Sequence, residues 1–260
     1  TDQVPISEVP IGEAAPAARP FFADARRPLS LALIVLLVLL VIPPILMLVR
    51  GSIAKIAIDG TLVYFTLDYY RSLFTNVRLL VSLQNSVTFA ATSAVISLLI
   101  GGTMAWVVER TNAPFKPLAY VITIISMGTP FVLMVGGWLF TLGPVGPVNQ
   151  FYKLVTGSSD NLFDVYSLAG MIVIEGFHWS PLAFLLLAST FRASNADMEE
   201  AARMAGATVL QTIWRISLRL ALPAILAVMI LSFIRSIEAF EVPALVGIPG
   251  RVSILTTEIF

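Results

Sequence analysis

Five long apolar runs, separated by stretches where charged and polar residues return, set the hydrophobic pattern of this chain. The first covers residues 29–49 and carries no charged residue over 21 positions. A helix of that length rises about 1.5 Å per residue and crosses a hydrocarbon core about 30 Å thick. Four more apolar runs follow at residues 83–108, 117–142, 166–191 and 220–240. The pattern predicts an all-α membrane protein, a polytopic transmembrane helix bundle with five visible spans.

Proline and glycine make two of these spans irregular. Pro43 and Pro44 fall inside the first span and predict a kink there. Gly128, Thr129 and Pro130 interrupt the third span, where the freed backbone groups need a neighbouring helix or water. We therefore expect the third span to face protein rather than lipid.

The stretches between the spans predict the remaining organisation. Residues 1–28 are rich in proline and alanine, and we expect a disordered cytoplasmic tail before a membrane domain at 29–260. Residues 50–82 contain LDYYRSLF, whose spacing predicts an interfacial helix. Residues 143–164 predict an outer loop rich in glycine and proline. Residues 241–260 predict a second outer loop that stops without closing and leaves the TTEIF segment unanchored. Five spans leave the two ends on opposite sides, so the chain is expected to be truncated before a sixth span.

A polar insert at residues 195–223 lies between the fourth and fifth spans. Asp197 is predicted to cap a helix, with Glu200 three positions on, and residues 198–205 are good helix formers. Gly206 predicts a left-handed residue just after that helix.

Thr208 and Gln211 repeat the start signal as Thr-x-x-Gln, which predicts a second helix running through Trp214 towards the membrane. The insert is therefore predicted to be a helix, a glycine elbow and a helix. We interpret it as a docking surface for another protein; an ordinary amphipathic loop is the alternative.

Composition supports the membrane class and excludes several chemistries. The chain is 57% hydrophobic and 12% charged, whereas soluble domains carry about 25% charged residues. Its 16 basic and 16 acidic residues give no net charge, which argues against a nucleic-acid partner. The chain contains no cysteine and a single histidine, His178, so it predicts no disulfide and no metal site built from thiolates or several histidines.

Positive charge predicts the orientation in the membrane. Arg26 and Arg27 precede the first span, and the region of the insert carries four arginines: Arg192, Arg203, Arg215 and Arg219. Cytoplasmic segments are enriched in lysine and arginine, so we expect the N-terminus and the insert to be cytoplasmic.

Four charged or titratable residues lie inside predicted spans. Glu175 and His178 are three apart in the fourth span, as are Arg235 and Glu238 in the fifth. Each costs about 2.5–3.5 kcal/mol at the bilayer centre, so we expect them to face the bundle interior and pair, with Arg235 neutralised by Glu238 or Glu175. They are candidates for a translocation pathway or gate. The alternatives are structural ion pairs or positions close enough to the interface to stay hydrated.

The insert resembles the EAA loop of ABC importer permeases. The family signature is matched by Glu200-Ala201-Ala202, then Gly206, then Ile216-Ser217-Leu218. The family proline that follows is Arg219 here, and only Pro223 matches a second proline that such loops carry. Arg219 leaves the second helix free to run on further.

The resemblance implies a fold of the ABC importer permease (MetI-like) type, with an EAA coupling loop at residues 192–223. It implies that Glu200, Ala201, Ala202 and Gly206 couple this chain to a separate ATPase subunit. The chain itself predicts no catalytic residue and no cofactor, because none of Lys55, Lys116 and Lys153 follows a glycine as a P-loop requires. ATP and magnesium are expected in the ATPase.

The further partners implied are a second permease unit (homodimer, heterodimer or fused half), an extracytoplasmic solute-binding protein and membrane lipid. The location implied is the bacterial inner membrane. The run FEVPALVGIPGR resembles the iron(III), polyamine or phosphonate branch of these permeases. Two other classes stay open at this point: an ion-coupled secondary transporter using Glu175, His178 and Arg235 as a proton relay, and a non-transporting membrane scaffold.

Overall fold

The computed structural model of the protein describes residues 23–56, 62–194 and 197–258, so most of the predicted N-terminal tail lies outside the described residues. The chain divides into two compact units, the first ending at Ser72 and the second beginning at Leu73.

The first unit contains one long apolar helix and a short hairpin. Helix α1 spans Ala23–Ile53, so it begins before residue 29, and the predicted boundary of the tail at residue 28 is corrected to that extent. Strands β1 (Ala54–Ile56) and β2 (Leu62–Phe65) pair antiparallel, an addition that the all-α prediction did not contain. Pro43 and Pro44 lie within α1, and the kink at these residues stays a prediction.

Helix α2 spans Asp68–Thr75, which confirms that the LDYYRSLF segment is helical. It starts at the end of the first unit, where the Tyr70 hydroxyl donates a hydrogen bond of 2.9 Å to Ser52 Oγ. Its location at a membrane surface stays a prediction.

Three long helices form the centre of the second unit: α3 (Val77–Arg110), α7 (Leu168–Ala193) and α10 (Leu218–Ile237). The buried positions of α3 are mostly small, which allows neighbouring helices to approach closely. At Gly101 a side chain would not fit, because an added Cβ would lie 2.6 Å from Ala183 Cβ and 2.7 Å from Phe184 N of α7. The predicted second and fourth spans are confirmed as α3 and α7, with α3 extending beyond both predicted ends.

The predicted third span is two helices, α4 (Lys116–Gly128) and α5 (Phe131–Leu142), so the break at Thr129-Pro130 is confirmed. A further helix, α6 (Pro147–Thr156), occupies part of the segment predicted as an irregular loop. Asn149 of α6 is fully buried, and its hydrogen bonds explain why this segment is ordered as a helix. Its amide donates to the carbonyls of Leu142, Gly143 and Phe163 at 3.0–3.1 Å, which holds the segment together.

Five segments of the described chain are long and apolar enough to cross a membrane, in agreement with the predicted number: Ser30–Ile53, Val77–Arg110, Phe131–Thr156, Leu168–Ala193 and Val209–Ile237. The third of these joins α5 to α6, whereas the prediction joined α5 to α4, which is a shorter apolar helix. The number of spans therefore agrees, while the boundaries of the third differ.

Two apolar clusters stabilise the second unit, one towards each end of α7. One contains Met171 and Ile174 of α7 with Phe89 of α3. The other contains Phe184 and Leu187 of α7, together with residues of α3 and α10. The helices are thus packed along most of their length.

The segment after α10 folds back onto α3, so the prediction of an unanchored C-terminal segment is wrong. After a π-helical turn at Pro243–Gly247 it ends in helix α11 (Leu255–Glu258). Ile254 is buried, and the Leu255 amide donates to Ser86 Oγ of α3 at 2.8 Å. Glu258 forms an ion pair of 3.0 Å with Arg78 near the start of α3. Arg78 and Ser86 of α3 are thus the partners that hold this segment.

Candidate functional site

The insert begins with helix α8, which spans Asp197–Met204. Asp197 is therefore the first helical residue and not the cap before it. Gly206 follows with φ of +88°, the left-handed conformation predicted for it. The Gly206 amide donates to the Arg203 carbonyl and the Ala207 amide to the Ala202 carbonyl, both at 3.0 Å. These two bonds are the Schellman arrangement, which closes the helix and fixes the direction of the chain after it.

A second helical stretch starts immediately after this elbow. The Gln211 amide donates to Thr208 Oγ1 at 3.3 Å, and the Thr208 amide donates to Gln211 Oε1 at 2.9 Å. The predicted capping box is thus confirmed. Helix α9 (Val209–Thr212) continues through a π-helical turn, π1 (Ile213–Ser217), into α10.

The helical path from Val209 to Ile237 passes through Arg219 and Pro223 without interruption. The second helix therefore runs on past Arg219 as expected, and it also continues through Pro223. The π turn was not predicted. It inserts a wider turn between the insert and the fifth span, and such turns are frequent at functional positions.

The residues proposed for coupling lie on the outer side of this unit. None of the residues of α8 is buried. Glu200, Ala201 and Gly206 are exposed, and Ala202 is partly buried. Met204, one turn beyond Ala201, is 90% exposed. Glu200, Ala201 and Gly206 are therefore accessible to another protein.

The inner side of α8 is held by a polar contact that the sequence interpretation missed. Arg110 Nε at the end of α3 lies 3.4 Å from Glu199 Oε1, with side chains only 8% and 13% exposed. The same carboxylate oxygen accepts a hydrogen bond of 2.9 Å from Ser217 Oγ, the last residue of π1. Arg110 Nη2 also donates to the Ser194 carbonyl at 3.2 Å and to the Ser194 hydroxyl. We call these four residues the Arg110–Glu199 link.

A second polar cluster lies beside it. Glu109 accepts hydrogen bonds from Arg192 Nη2 at 2.9 Å and from the Tyr120 hydroxyl, and Arg192 also donates to Tyr120 at 2.7 Å. The cluster joins the ends of α3 and α7 to α4. Successive residues of α3, Glu109 and Arg110, thus contact different neighbours: the first contacts α4 and α7, and the second contacts the insert.

A cavity of about 580 Å³ opens between the end of α3 and the insert. Its walls are polar and apolar in about equal measure, and Glu199, Arg110 and Ser217 form part of them. The other lining residues are Trp106, Glu109, Thr111, Asn112, Glu200, Arg203, Val209 and Thr212. The insert is consequently attached to the bundle by few contacts around a partly open space.

The two titratable residues of α7 do not pair with each other, contrary to expectation. Glu175 is fully buried and accepts a hydrogen bond of 2.8 Å from Trp179 Nε1. Its other oxygen, Oε2, has no hydrogen-bond partner among the described residues. His178 instead stacks on Phe131 at 3.8 Å between ring centroids, with Nδ1 3.3 Å from Met134 Sδ.

Arg235 is paired with Glu238 rather than with Glu175, but only loosely. The closest atoms are 3.7 Å apart, and the side chains are 55% and 56% exposed. The expectation that both face the interior of this bundle is therefore wrong for the single chain. The described residues contain no cluster of three or more histidine, cysteine, aspartate or glutamate side chains that could hold a metal ion.

Five segments of the described chain that could cross a membrane, together with an exposed helix–elbow–helix insert between α7 and α10, define a multi-pass membrane protein. The chain belongs to the family described as "Binding-protein-dependent transport system inner membrane component", which it matches over residues 97–259.

Relatives of known function carry the same assignment. The spermidine/putrescine transport system permease protein PotB of Escherichia coli (strain K12) is 28% identical over 212 residues, covering 81% of this chain and 77% of PotB. The molybdenum transport system permease protein ModB of Azotobacter vinelandii is 24% identical over 184 residues, covering 70% and 79%. The ferric transport system permease protein FbpB of Actinobacillus pleuropneumoniae is 23% identical over 178 residues, covering 68% and 26%.

Solved structures show the same fold. A bacterial ABC transporter that imports the acidic polysaccharide alginate superposes with a TM-score of 0.73 at 17% identity, covering 91% of this chain and 82% of that chain. The alginate transporter in complex with its pentasaccharide-bound periplasmic protein gives 0.70 at 18% identity, covering 92% and 84%.

The protein is thus a permease subunit of an ABC importer and not an enzyme. The family and the fold do not favour the ion-coupled secondary transporter, and the predicted EAA-loop resemblance is confirmed at the level of the family.

Proposed function

We propose that this permease subunit imports solute through a pathway shared with a second permease unit, and that a separate ATPase drives it by docking on the insert. The observation that carries the proposal is the geometry of α8. It is a short exposed helix, closed by a Schellman elbow and restarted by a capping box, at the positions of the EAA signature. Glu200, Ala201, Ala202 and Gly206 are the proposed coupling residues.

The chemistry of α8 favours a protein groove as its environment. Asp197, Glu200 and Arg203 are too polar for the hydrocarbon core. Met198 and Met204, however, are 56% and 90% exposed. Flexible methionine side chains adapt to an apolar groove, and the small Ala201 allows close approach of the helix to such a groove. ATP and magnesium then belong to the ATPase, and this chain supplies the surface.

The orientation proposed places the insert and the N-terminus on the cytoplasmic side. The arginines near the insert support this side. At the opposite end of the bundle we propose docking of an extracytoplasmic solute-binding protein. The alginate transporter solved with its periplasmic protein supports that partner class.

The second permease unit is proposed to be a separate chain or a fused half. The match covers only 26% of FbpB, which supports a fused arrangement in at least one relative. The relatives are named for a polyamine, molybdenum and ferric iron, and these solutes differ in charge. The proposal therefore names no particular solute for this chain.

Of the four candidate pathway residues, Arg235 and Glu238 keep that proposed role, because their exposed side chains are free to face solute or the second unit. Glu175 and His178 are better explained as packing residues. Glu175 is buried against Trp179, and His178 is stacked on Phe131.

Crosslinking tests the docking surface directly, since the chain has no cysteine. Ala201→Cys in the assembled transporter should crosslink to cysteines placed in the groove of the ATPase, with a yield that changes on ATP binding. Ser159→Cys, exposed in the loop after α6, is the matched control and should not crosslink to the ATPase.

Ala201→Trp is a second, independent test of docking. It adds bulk to the docking face while keeping tolerable helix propensity. We expect normal membrane levels with loss of transport. Normal transport by Ala201→Trp together with absence of the Ala201→Cys crosslink would refute docking at this surface.

A further inference from the structure

Helix α8 contacts the bundle on its inner side through the Arg110–Glu199 link. None of its residues is buried, so burial of apolar side chains contributes little to holding it. Its Glu199 carboxylate, in contrast, is only 13% exposed and faces Arg110, which is 8% exposed. Ion pairs sheltered from water in this way interact more strongly than exposed pairs, and loss of one partner leaves the other charge buried and unpaired.

One atom connects two separate elements to α8. Oε1 of Glu199 lies 3.4 Å from Arg110 Nε of α3 and accepts from Ser217 Oγ of π1 at 2.9 Å. Arg110 in turn holds Ser194, directly after α7, through both the backbone carbonyl and the hydroxyl. A displacement of Glu199 therefore acts on the ends of α3 and α7 and on the start of the fifth span together.

The junction on the Ser217 side combines an irregular helical turn with open space beside it. The turn π1 departs from α-helical geometry at Ile213–Ser217, and the cavity of about 580 Å³ leaves space between the insert and α3. Local departures of this kind are common where a helix serves function rather than stability.

We infer that Arg110 and Glu199, with Ser217, are positioning residues that transmit movement between the docking surface and the helix bundle; this inference rests on the proposed function. Docking itself uses the outer side of α8. The link on the inner side converts a displacement of α8 by the ATPase into a displacement of α3 and α10, and carries the signal of the loaded receptor in the opposite direction.

The test compares Arg110→Gln, Glu199→Gln and the double variant in the complete transporter with its ATPase and solute-binding protein. Glu199→Gln removes one charge with little change in size, whereas Arg110→Gln removes the charge together with the guanidinium that bonds Ser194. Hydrolysis is measured with and without loaded receptor, per amount of membrane-inserted complex, and Ala201→Cys crosslinking to the ATPase is measured in the same backgrounds. The ratio of stimulated to basal hydrolysis reports transmission, which a purely structural role would not change.

We expect each single variant to lower that ratio at least about fivefold, the lower range of coupling between sites, with crosslinking unchanged. The double variant should be no worse than either single variant, because the link is already broken. Arg110→Lys should restore part of the ratio, since lysine keeps the charge without the planar fork that reaches Ser194 and Glu199 together.

Arg192→Gln is the matched control. It removes an ion pair between α3 and α7 at the same end of the bundle, yet Arg192 does not contact α8 in the described structure. Its ratio should stay within about twofold of the unaltered protein, because the Arg192 side chain that is changed is 64% exposed. If Glu199→Gln does not reach the membrane, Ser217→Ala, which removes only a hydroxyl, must lower the ratio instead.

Three results separate the inference from the function on which it rests. An unchanged ratio in Glu199→Gln with normal crosslinking overturns the link and leaves docking intact. Additive losses in the double variant show that the two residues act independently, which also overturns it. Absence of the Ala201→Cys crosslink in the otherwise unaltered protein overturns the proposed function itself.

Discussion

Gly206 is the residue on which the shape of the docking surface depends. Its φ of +88° is accessible to glycine, whereas other residues pay about 1–2 kcal/mol to adopt left-handed geometry and β-branched residues more. No atom lies within 4 Å of the position that a Cβ would occupy, so any effect of substitution arises from the backbone and not from a clash.

Gly206→Val should therefore displace α8 relative to α9 while leaving membrane insertion normal. We expect transport to fall together with receptor-stimulated hydrolysis, measured in proteoliposomes. Gly206→Asn is the control, since asparagine tolerates the left-handed region, and it should retain most activity. Equal activity of the valine and asparagine variants would show that the elbow angle has no role.

Glu175 gives a second prediction, about stability. Glu175→Gln keeps an acceptor for Trp179 Nε1, whereas Glu175→Ala leaves that partly buried donor unpaired, at a cost of up to about 1–3 kcal/mol in addition to the cavity. In detergent, the temperature of thermal unfolding should fall strongly for Glu175→Ala and only slightly for Glu175→Gln. Arg235→Ala should lower the unfolding temperature as little as Glu175→Gln does, since an exposed ion pair contributes about 0–1 kcal/mol to stability.

Transport separates packing from a pathway role at the same position. If Glu175 is a packing residue, Glu175→Gln should import solute at close to the unaltered rate. If Glu175→Gln folds normally but does not transport, the Glu175 carboxylate has a role in the translocation pathway.

The two adjacent glutamates of α8 show what sequence can and cannot establish for single residues. Glu200 was singled out because it belongs to a local pattern with Asp197 and Gly206. Glu199 was missed, because its partners Arg110 and Ser217 lie far away in the chain and no local spacing relates them. Adjacent residues on a helix point about 100° apart, so one faces outward and the other inward.

At the scale of elements, local signals were reliable wherever a backbone hydrogen bond is satisfied by a nearby side chain. The Thr208–Gln211 capping box and the break before Pro130 follow from such rules, and both are present. Structure that depends on distant contacts was not foreseen. Helix α6 is an example, because Asn149 fixes it through the carbonyl of Phe163.

The hairpin of the first unit had a local signal that was overlooked. Asp59-Gly60 separates two short runs with β-branched and aromatic residues, a combination typical of β-hairpins. The expectation for residues 50–82 named only the interfacial helix at LDYYRSLF. Strands Ala54–Ile56 and Leu62–Phe65 lie on either side of Asp59-Gly60 in the sequence.

The capping box supplies the prediction for this scale. Thr208→Ala removes the acceptor for the Gln211 amide and should destabilise the start of α9 by about 1 kcal/mol. Hydrogen–deuterium exchange across residues 206–213 should then accelerate about fivefold, a factor that follows from that energy. Thr208→Ser keeps the hydroxyl and should exchange at the original rate. Unchanged exchange in the alanine variant would show that α9 is held by other contacts.

At the scale of the whole molecule, the apolar pattern was enough to predict the number of spans and the class of protein. It did not predict which ends of the helices contact each other, because those contacts depend on three-dimensional packing. The anchored segment that ends at Glu258 illustrates this: its partners Arg78 and Ser86 lie 180 and 169 positions earlier in the chain.

Orientation is the testable property of the complete chain. Single cysteines replacing Met204 and Ser159 lie on the insert and in the loop after α6, and no native cysteine competes with them. A membrane-impermeant maleimide should label Ser159→Cys in spheroplasts and Met204→Cys only in inverted vesicles. The reverse pattern would place the insert outside and remove the cytoplasmic ATPase from the proposal.

The close approach of α3 and α7 at Gly101 has a mechanical consequence. Helices separated by side chains can slide past one another while those side chains change rotamer. Here the backbone of α3 lies against Ser180, Ala183 and Phe184 of α7, with no side chain on Gly101 to rearrange. Sliding is therefore resisted, and α3 and α7 should tilt during the transport cycle as one rigid body.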